Sequence, residues 1–568
     1  MNDTGFVDKI QTNSIRRQAS IYAILVFSYA LSTWLTAALF MADSVDYAAD
    51  VIAHEHGKPA QFWEAGHLFW RPLGWLLHRS FTGFVDGGVL TNPRNQVMFL
   101  LITFNWLAGL LSVICFYTIV RRLCRQEWVL LVSTGALIFS HAFLNFIQSG
   151  TSYTAALAML MLGLAITLKK RESARQWWKI ALPAGAAFAA AVCFWFPFIV
   201  AIPGALLSPL FLIGNTPRER VSVIATGCAF AVFIALVHFG VFIHLGIHNL
   251  AGVKDWFISS PSVGTTQTSG FMRMVFGFAR SFINMNNDGI LFKRFLISDP
   301  FNHVSAWELF RYSLWKFGMF YLFLLAVAGN LWCSGRKRVL VYLLISGAPI
   351  IAFAILFDGG AVERYLPLYP FLFIALALSL NGWRVKLPLT AITLAFVLIA
   401  GVNNTLAMST FTLSADQQET ESRIRDLQPR LKPNSRIYTV NWQDDLVNFN
   451  RSFPFNPINL NGGMRVGSLV TPGTIQVQRW REEFSSQVLA TWERGGDVWI
   501  SLRALSDSPR PDWNWAEGAD PHVSWKDFRP FFEQNLDRGE TVGERDGFFL
   551  LPPTGKNETF FKSFAQKR

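Results

Sequence analysis

Long apolar runs alternate with short polar breaks over the first four hundred residues. A bilayer-spanning helix needs roughly 20 apolar residues. Runs of that kind lie near 19–41, 97–120, 127–146, 152–168, 180–196, 198–214, 221–245, 313–333, 339–357, 364–381 and 387–409. Stretch 180–214 is apolar throughout, with Pro197 and Pro203 inside it. Basic residues flank both its ends, so it is divided into two short spans. The first run is too long for the apolar segment of a cleaved signal peptide and reads as a retained anchor. The pattern predicts a polytopic α-helical membrane protein with about eleven transmembrane helices.

Beyond residue 409 the pattern changes. Short strand-like stretches at 436–440 and 497–502 alternate with helix-like ones at 415–427 and 478–492. Turn signals separate them: Asn461-Gly462-Gly463, Thr471-Pro472-Gly473 and Arg494-Gly495-Gly496. Two domains follow: a membrane core over 1–409, and a soluble α/β domain over 410–568.

Composition agrees. Of the 568 residues, 52% are hydrophobic and only 15% charged, too few charges to cover a soluble protein of this size. The net charge of +12 is concentrated in short clusters between apolar runs. These are Arg16-Arg17, Arg121-Arg122 with Arg125, Lys169-Lys170-Arg171, Arg218 with Arg220, Arg336-Lys337-Arg338, and Arg384 with Lys386. The short connections 147–151 and 358–363 on the opposite side lack both Lys and Arg. Clusters at every second short connection mark the cytoplasmic side. The N-terminus is then cytoplasmic, and the tail lies outside with the long loops 42–96 and 246–312. This charge distribution orients a membrane protein and gives no reason to invoke nucleic acid. The five cysteines, Cys115, Cys124, Cys193, Cys228 and Cys333, lie in or beside apolar segments, which excludes a disulfide framework in the tail.

Polar groups at a membrane edge are costly to keep, so they are the places to look for chemistry. Asp43-Ser44-Val45-Asp46-Tyr47 follows the first span. On a helix, Asp43 shares a face with Asp46 and neighbours Tyr47. Asp43 is suited to act as a general base, or equally to cap the next helix. In Glu64-Ala65-Gly66-His67-Leu68-Phe69-Trp70-Arg71, charged residues alternate with aromatic and apolar ones. That segment reads as an interfacial helix, with Glu64, His67 and Arg71 either snorkelling or lining a site. Glu363-Arg364-Tyr365-Leu366-Pro367-Leu368-Tyr369-Pro370 opens a late span. Arg364 there suits a phosphate, or an internal pair with Glu363 or Asp358. Loop 246–312 carries Lys254, Arg273, Arg280, Lys293 and Arg294, which fit lipid headgroups or a lipid-linked phosphate. His244 and His248 stand four apart without a His-Glu-x-x-His pattern, so an interfacial pair outweighs a metal site. Neither a phosphate-binding glycine loop nor a dinucleotide fingerprint is present. The tail's Trp442, Trp480, Trp492, Trp499, Trp513, Trp515 and Trp525 fit core packing better than carbohydrate stacking.

This combination resembles the GT-C superfamily of polyprenyl-phosphate-sugar-dependent glycosyltransferases, which includes protein mannosyltransferases and lipid A aminoarabinose transferases. Asp43 with Tyr47 looks like that family's catalytic-loop acid and its tyrosine. His67-Leu68-Phe69-Trp70-Arg71-Pro72 stands where many members have His-Pro-Pro, and departs from it. Arg364-Tyr365-Leu366-Pro367-Leu368-Tyr369-Pro370 resembles the family's entry to a late helix. The resemblance covers roughly 19–409 and not the tail. It implies inverting transfer, on the outer face of the membrane, from a polyprenyl-phosphate-linked sugar to a lipid, glycan or protein acceptor; the lack of cysteines outside the apolar segments and the short loops favour a bacterial inner membrane. Asp43 would be the base, with Asp46 as alternate. Arg364, and with less support Lys293 or Arg294, would hold the donor phosphate. Tyr47, Glu64, His67, Arg71, Glu363 and Tyr365 would bind substrate. A divalent cation stays open, since members differ and Asp43 and Asp46 do not form Asp-x-Asp. The competing classes are a flippase of lipid-linked saccharide and a non-catalytic subunit of an envelope assembly complex.

Overall fold

The computed structural model describes residues 4–39, 42–57, 61–85, 93–169, 178–259, 270–285, 295, 305–381, 387–409, 426–432, 434–439, 465–468, 477–505, 530–533, 536–543 and 547–565. The helices in the first half are α1 (Thr4–Leu35), α2 (Ala42–Glu55), α3 (Trp70–Val85), α4 (Pro93–Leu123), α5 (Glu127–Ile138), α6 (His141–Phe146), α7 (Tyr153–Thr167), α8 (Trp178–Phe194), α9 (Ile202–Leu212), α10 (Pro217–Leu245), α11 (Leu250–Ile258) and α12 (Gly270–Phe282). Helices Trp315–Cys333, Lys337–Phe357, Tyr369–Leu380 and Leu387–Ala407 follow. Among the described residues, seven helices are long and apolar enough to cross a membrane. Four shorter apolar helices account for the remaining predicted runs.

The expected division of 180–214 is present. Helix α8 ends at Phe194, Trp195 is extended, and Pro197 sits in a 3-10 turn, Phe196–Ala201, that leads into α9. Pro lacks an N–H, so it is tolerated at such a helix start and breaks a helix interior. The run 127–146 is also divided, at Phe139–Ser140, where the polar pair Ser140-His141 interrupts it. Close helix approach depends on small residues. A Cβ on Gly185 of α8 would lie 2.8 Å from the Phe230 backbone nitrogen of α10.

Helix α1 and helix Leu387–Ala407 end side by side: Ala37 N–H donates to Met408 O (2.9 Å), and Thr36 bridges to Ser409. Helix α2 starts at that level and packs on α3 and α4. Helix α12 docks on the turn at 358–360. Tyr365 reaches Gly359 O (2.6 Å) and Met274 O (3.0 Å), and Arg280 donates to Gly360 O (3.3 Å). A Cβ on Gly277 would fall 2.0 Å from Gly359 O, so only glycine allows this approach.

The C-terminal region carries a five-stranded sheet of order β2-β1-β3-β5-β4. The strands are β1 (Arg436–Thr439), β2 (Arg465–Ser468), β3 (Val498–Ser501), β4 (Thr541–Val542) and β5 (Phe548–Leu551). Strand β1 is parallel to β2 and β3, while β5 is antiparallel to β3 and β4. Helices Val477–Glu493 and Gly555–Ala565 cover a core of Phe484, Val488, Ile500, Phe531 and Phe561. The predicted strands at 436–440 and 497–502 and the helix at 478–492 are all present. Trp499 is buried, and Trp492 donates to Leu551 O (3.2 Å). Trp442, Trp513, Trp515, Trp525 and most of the predicted helix at 415–427 lie outside the described residues.

Candidate active site

Asp43 lies inside the first turn of α2, half-buried. Its carboxylate does not cap the helix. It accepts a hydrogen bond from the Tyr153 hydroxyl, 2.5 Å from Oδ2. Asp46, three residues on, is exposed. Tyr47, one turn after Asp43, is buried and its hydroxyl lies 3.0 Å from His67 Nε2. Burial, and then the Asp43 carboxylate, hold the Tyr47 phenol well above its ordinary range.

His67 belongs to a short 3-10 turn, Ala65–His67. Its Nδ1 lies 2.7 Å from Ser152 Oγ. Burial pushes the imidazole down to about 4, so it is neutral at pH 7. In either tautomer one ring nitrogen donates and the other accepts. Asp43, Glu64, Arg71 and Arg364 all act electrostatically on this ring, which places them around it.

Arg71, in the first turn of α3, joins Glu64 (2.5 Å) and Asp50 (2.7 Å) in a buried ion triad. Its guanidinium also lies over the Tyr47 ring, 4.8 Å from the centre. Burial alone would lower Arg71; Glu64, Tyr47 and Asp50 outweigh it and hold it raised. A chain carrying Glu64, His67 and Arg71 is thereby locked onto α2.

The third wall is the turn before α7. Trp70 Nε1 donates to Gly150 O (2.8 Å), and Gly150 N–H donates to Ser44 Oγ (2.8 Å). Asn105 donates to Ser149 O (2.6 Å) and also to Thr151 O. The Tyr153 ring packs on Trp195, 4.4 Å between centres. Trp195 in turn faces Arg364, whose guanidinium lies 5.5 Å from the indole centre and 5.7 Å from that of Phe353.

Arg364 and Glu363 sit in the 3-10 turn Val362–Leu368 that opens helix Tyr369–Leu380. Arg364 Nε is buried and has no hydrogen-bond partner among the described residues. The expected pairing of Arg364 with Glu363 or Asp358 forms no ion pair among the described residues. Tyr365 points its hydroxyl at backbone carbonyls of the α12 junction, away from the His67 cluster.

Residues from three distant stretches therefore meet: Asp43, Tyr47, Glu64, His67 and Arg71; Ser152 and Tyr153; and Glu363 and Arg364. The first and third sets were expected from the sequence. Asp50, Ser152, Tyr153 and Trp195 were missed. The available signal was the hydroxyl-rich break Ser149-Gly150-Thr151-Ser152-Tyr153 between apolar runs. Lys293 and Arg294 lie outside the described residues. Among the described residues, no group of three His, Cys, Asp or Glu side chains has the arrangement of a metal site.

No family model and no curated protein matches the chain. Solved structures do. ArnT from Cupriavidus metallidurans in the apo state is 11% identical over 96% of this chain and 99% of that one, with a TM-score of 0.49. The same protein bound to undecaprenyl phosphate matches at 11% identity, over 95% and 98% of the two chains, again at 0.49. An Archaeoglobus fulgidus oligosaccharyltransferase in complex with Zn and sulfate is 13% identical over 85% and 68%, with a TM-score of 0.44. At such identities and scores the likeness lends no weight to an activity.

Proposed function

We propose that this chain is a membrane glycosyltransferase that takes a sugar from a polyprenyl-phosphate donor at the outer face of a bacterial inner membrane. The observation that carries this reading is the meeting of a carboxylate, Asp43, with a cation, Arg364, whose Nε has no hydrogen-bond partner. A base and a phosphate ligand held in one polar cluster suit displacement at an anomeric carbon.

In the step we propose, the acceptor hydroxyl attacks the anomeric carbon while its proton passes to Asp43. The bond from that carbon to the phosphate oxygen breaks, and its electron pair leaves with the polyprenyl phosphate. The configuration inverts. Arg364 offsets the charge growing on the leaving phosphate, as a fixed cation in a low-dielectric setting does effectively. Glu64, His67 and Arg71 hold the loop in place, and Tyr47 and Glu363 face the sugar or acceptor. Asp46, exposed, is the weaker base candidate.

The test uses the full chain in lipid nanodiscs with a panel of synthetic undecaprenyl-phosphate-linked hexoses and pentoses. Release of undecaprenyl phosphate is measured with added envelope lipids, glycans or peptides. Turnover of one donor by the native chain, and its loss by about a thousandfold in D43N, is expected from removing a general base. Full turnover in D43N, or no turnover of any donor, overturns the reading.

A further inference from the structure

The two oxygens of Asp43 stand in different circumstances. Oδ2 accepts from Tyr153, while Oδ1 has no hydrogen-bond partner among the described residues. Tyr153 is itself held tightly. It is buried, with its ring edge-on to Phe146 at 5.0 Å, against Trp195 at 4.4 Å and near His67 at 6.2 Å. Its backbone begins α7 directly after the turn that Asn105, Trp70 and Ser44 fasten. The approach of that turn to α2 is close: a Cβ on Gly150 would lie 3.0 Å from Ser44 Cβ.

We propose that Tyr153 is a positioning residue for the base. It pins Oδ2 so that Oδ1 is the oxygen that takes the acceptor's proton. This rests on the assignment of Asp43 as base. Trp195 extends the same frame, because one face of its environment is the Tyr153 ring and another is the Arg364 guanidinium. Base and phosphate ligand are thereby spaced by one stack of rings. A carboxylate free to rotate would spend part of its time out of line with the acceptor, and a small misplacement of reacting groups is costly in rate.

The test compares native chain, Y153F and D43N in nanodiscs, using the undecaprenyl-phosphate sugar from the panel that the native chain turns over. A residue that only packs would alter melting and leave kcat of the folded chain in place. Positioning predicts that Y153F lowers kcat about tenfold with donor KM nearly unchanged. W195F, which loosens the Tyr153 ring without removing its hydroxyl, should lower kcat in the same way by less. Native kcat in Y153F, with D43N inactive, overturns the role of Tyr153 and leaves the base assignment standing. If Y153F does not fold, native kcat in W195F overturns it instead. Activity in D43N removes the base and this inference together.

Discussion

Arg71 and Arg364 both act electrostatically on His67 and are held in different ways. Arg71 is engaged: Asp50 takes its Nε donor, Glu64 takes a donor of one terminal nitrogen, and a tyrosine ring lies beside it. Arg364 rests over Trp195 and Phe353, and its Nε has no hydrogen-bond partner. The first arrangement spends its charge on the fold. The second keeps donors in reserve, as a cation awaiting an anion does. Residue type alone does not distinguish structural from ligand-binding arginine; the number of donors already used does.

The contrast breaks most readily at Arg71. R71A removes the cation that the buried Glu64 shares with Asp50. Breaking such a pair from one side costs about 3–5 kcal/mol. The expected result is a large fall in melting temperature in detergent. Replacing both partners, as R71M with E64Q, should recover much of it. A native-like melt in R71A would mean that the triad is not what locks α3 onto α2.

R364A should show the reverse profile. Stability changes modestly: two ring contacts, each worth about 0.5–1 kcal/mol, are lost together with the attraction to the buried Glu363. Affinity for undecaprenyl phosphate should fall by roughly ten- to a hundredfold, the worth of a charge-assisted hydrogen bond. R364K should restore only part, because an ammonium lacks the planar fork. Equal affinity in R364A and native chain would place the phosphate elsewhere.

His67 sharpens the comparison through pH. Its folded value, about 4, lies below the ordinary value of 6.5. Between these two, the unfolded chain binds a proton that the folded chain does not, so stability falls as pH drops through that window. The melt should therefore weaken from about pH 6.5 toward pH 4, and the slope should flatten in H67N. An identical slope in H67N would assign the acid sensitivity to other groups.

Much of this organisation was legible in the sequence, for physical reasons. Apolar length reveals spans, so the runs at 97–120, 221–245 and 339–357 correspond to helices Pro93–Leu123, Pro217–Leu245 and Lys337–Phe357. Charge at a membrane edge is expensive, so Asp43, Glu64, His67, Arg71, Glu363 and Arg364 stood out. Helical spacing paired Asp43 with Tyr47. It did not foresee that Asp46, on the expected shared face, would be exposed while Asp43 turned to Tyr153. Tyr153 and Trp195 were hidden because an aromatic residue at the end of an apolar run reads as packing. Their roles arise from contacts across 110 residues to Asp43 and across the α8 break to Arg364, and periodicity carries no information about such contacts.

The smallest expected effect concerns Tyr365, which the resemblance grouped with substrate ligands. Its single O–H is shared between Gly359 O and Met274 O, and its ring stacks on Phe278 at 5.3 Å. Those contacts fasten α12 to the segment that carries Arg364. Y365F keeps the ring and loses the donor, so the cost should be about 1 kcal/mol or slightly more, the worth of a buried hydrogen bond. The melt should drop modestly, with donor affinity and turnover near native. A frame residue acts on Arg364 only through the position of a whole turn, whereas a ligand acts on the substrate directly. A large rise in donor KM in Y365F with an unchanged melt would therefore return Tyr365 to the binding site and move the boundary between frame and site to the α12 junction.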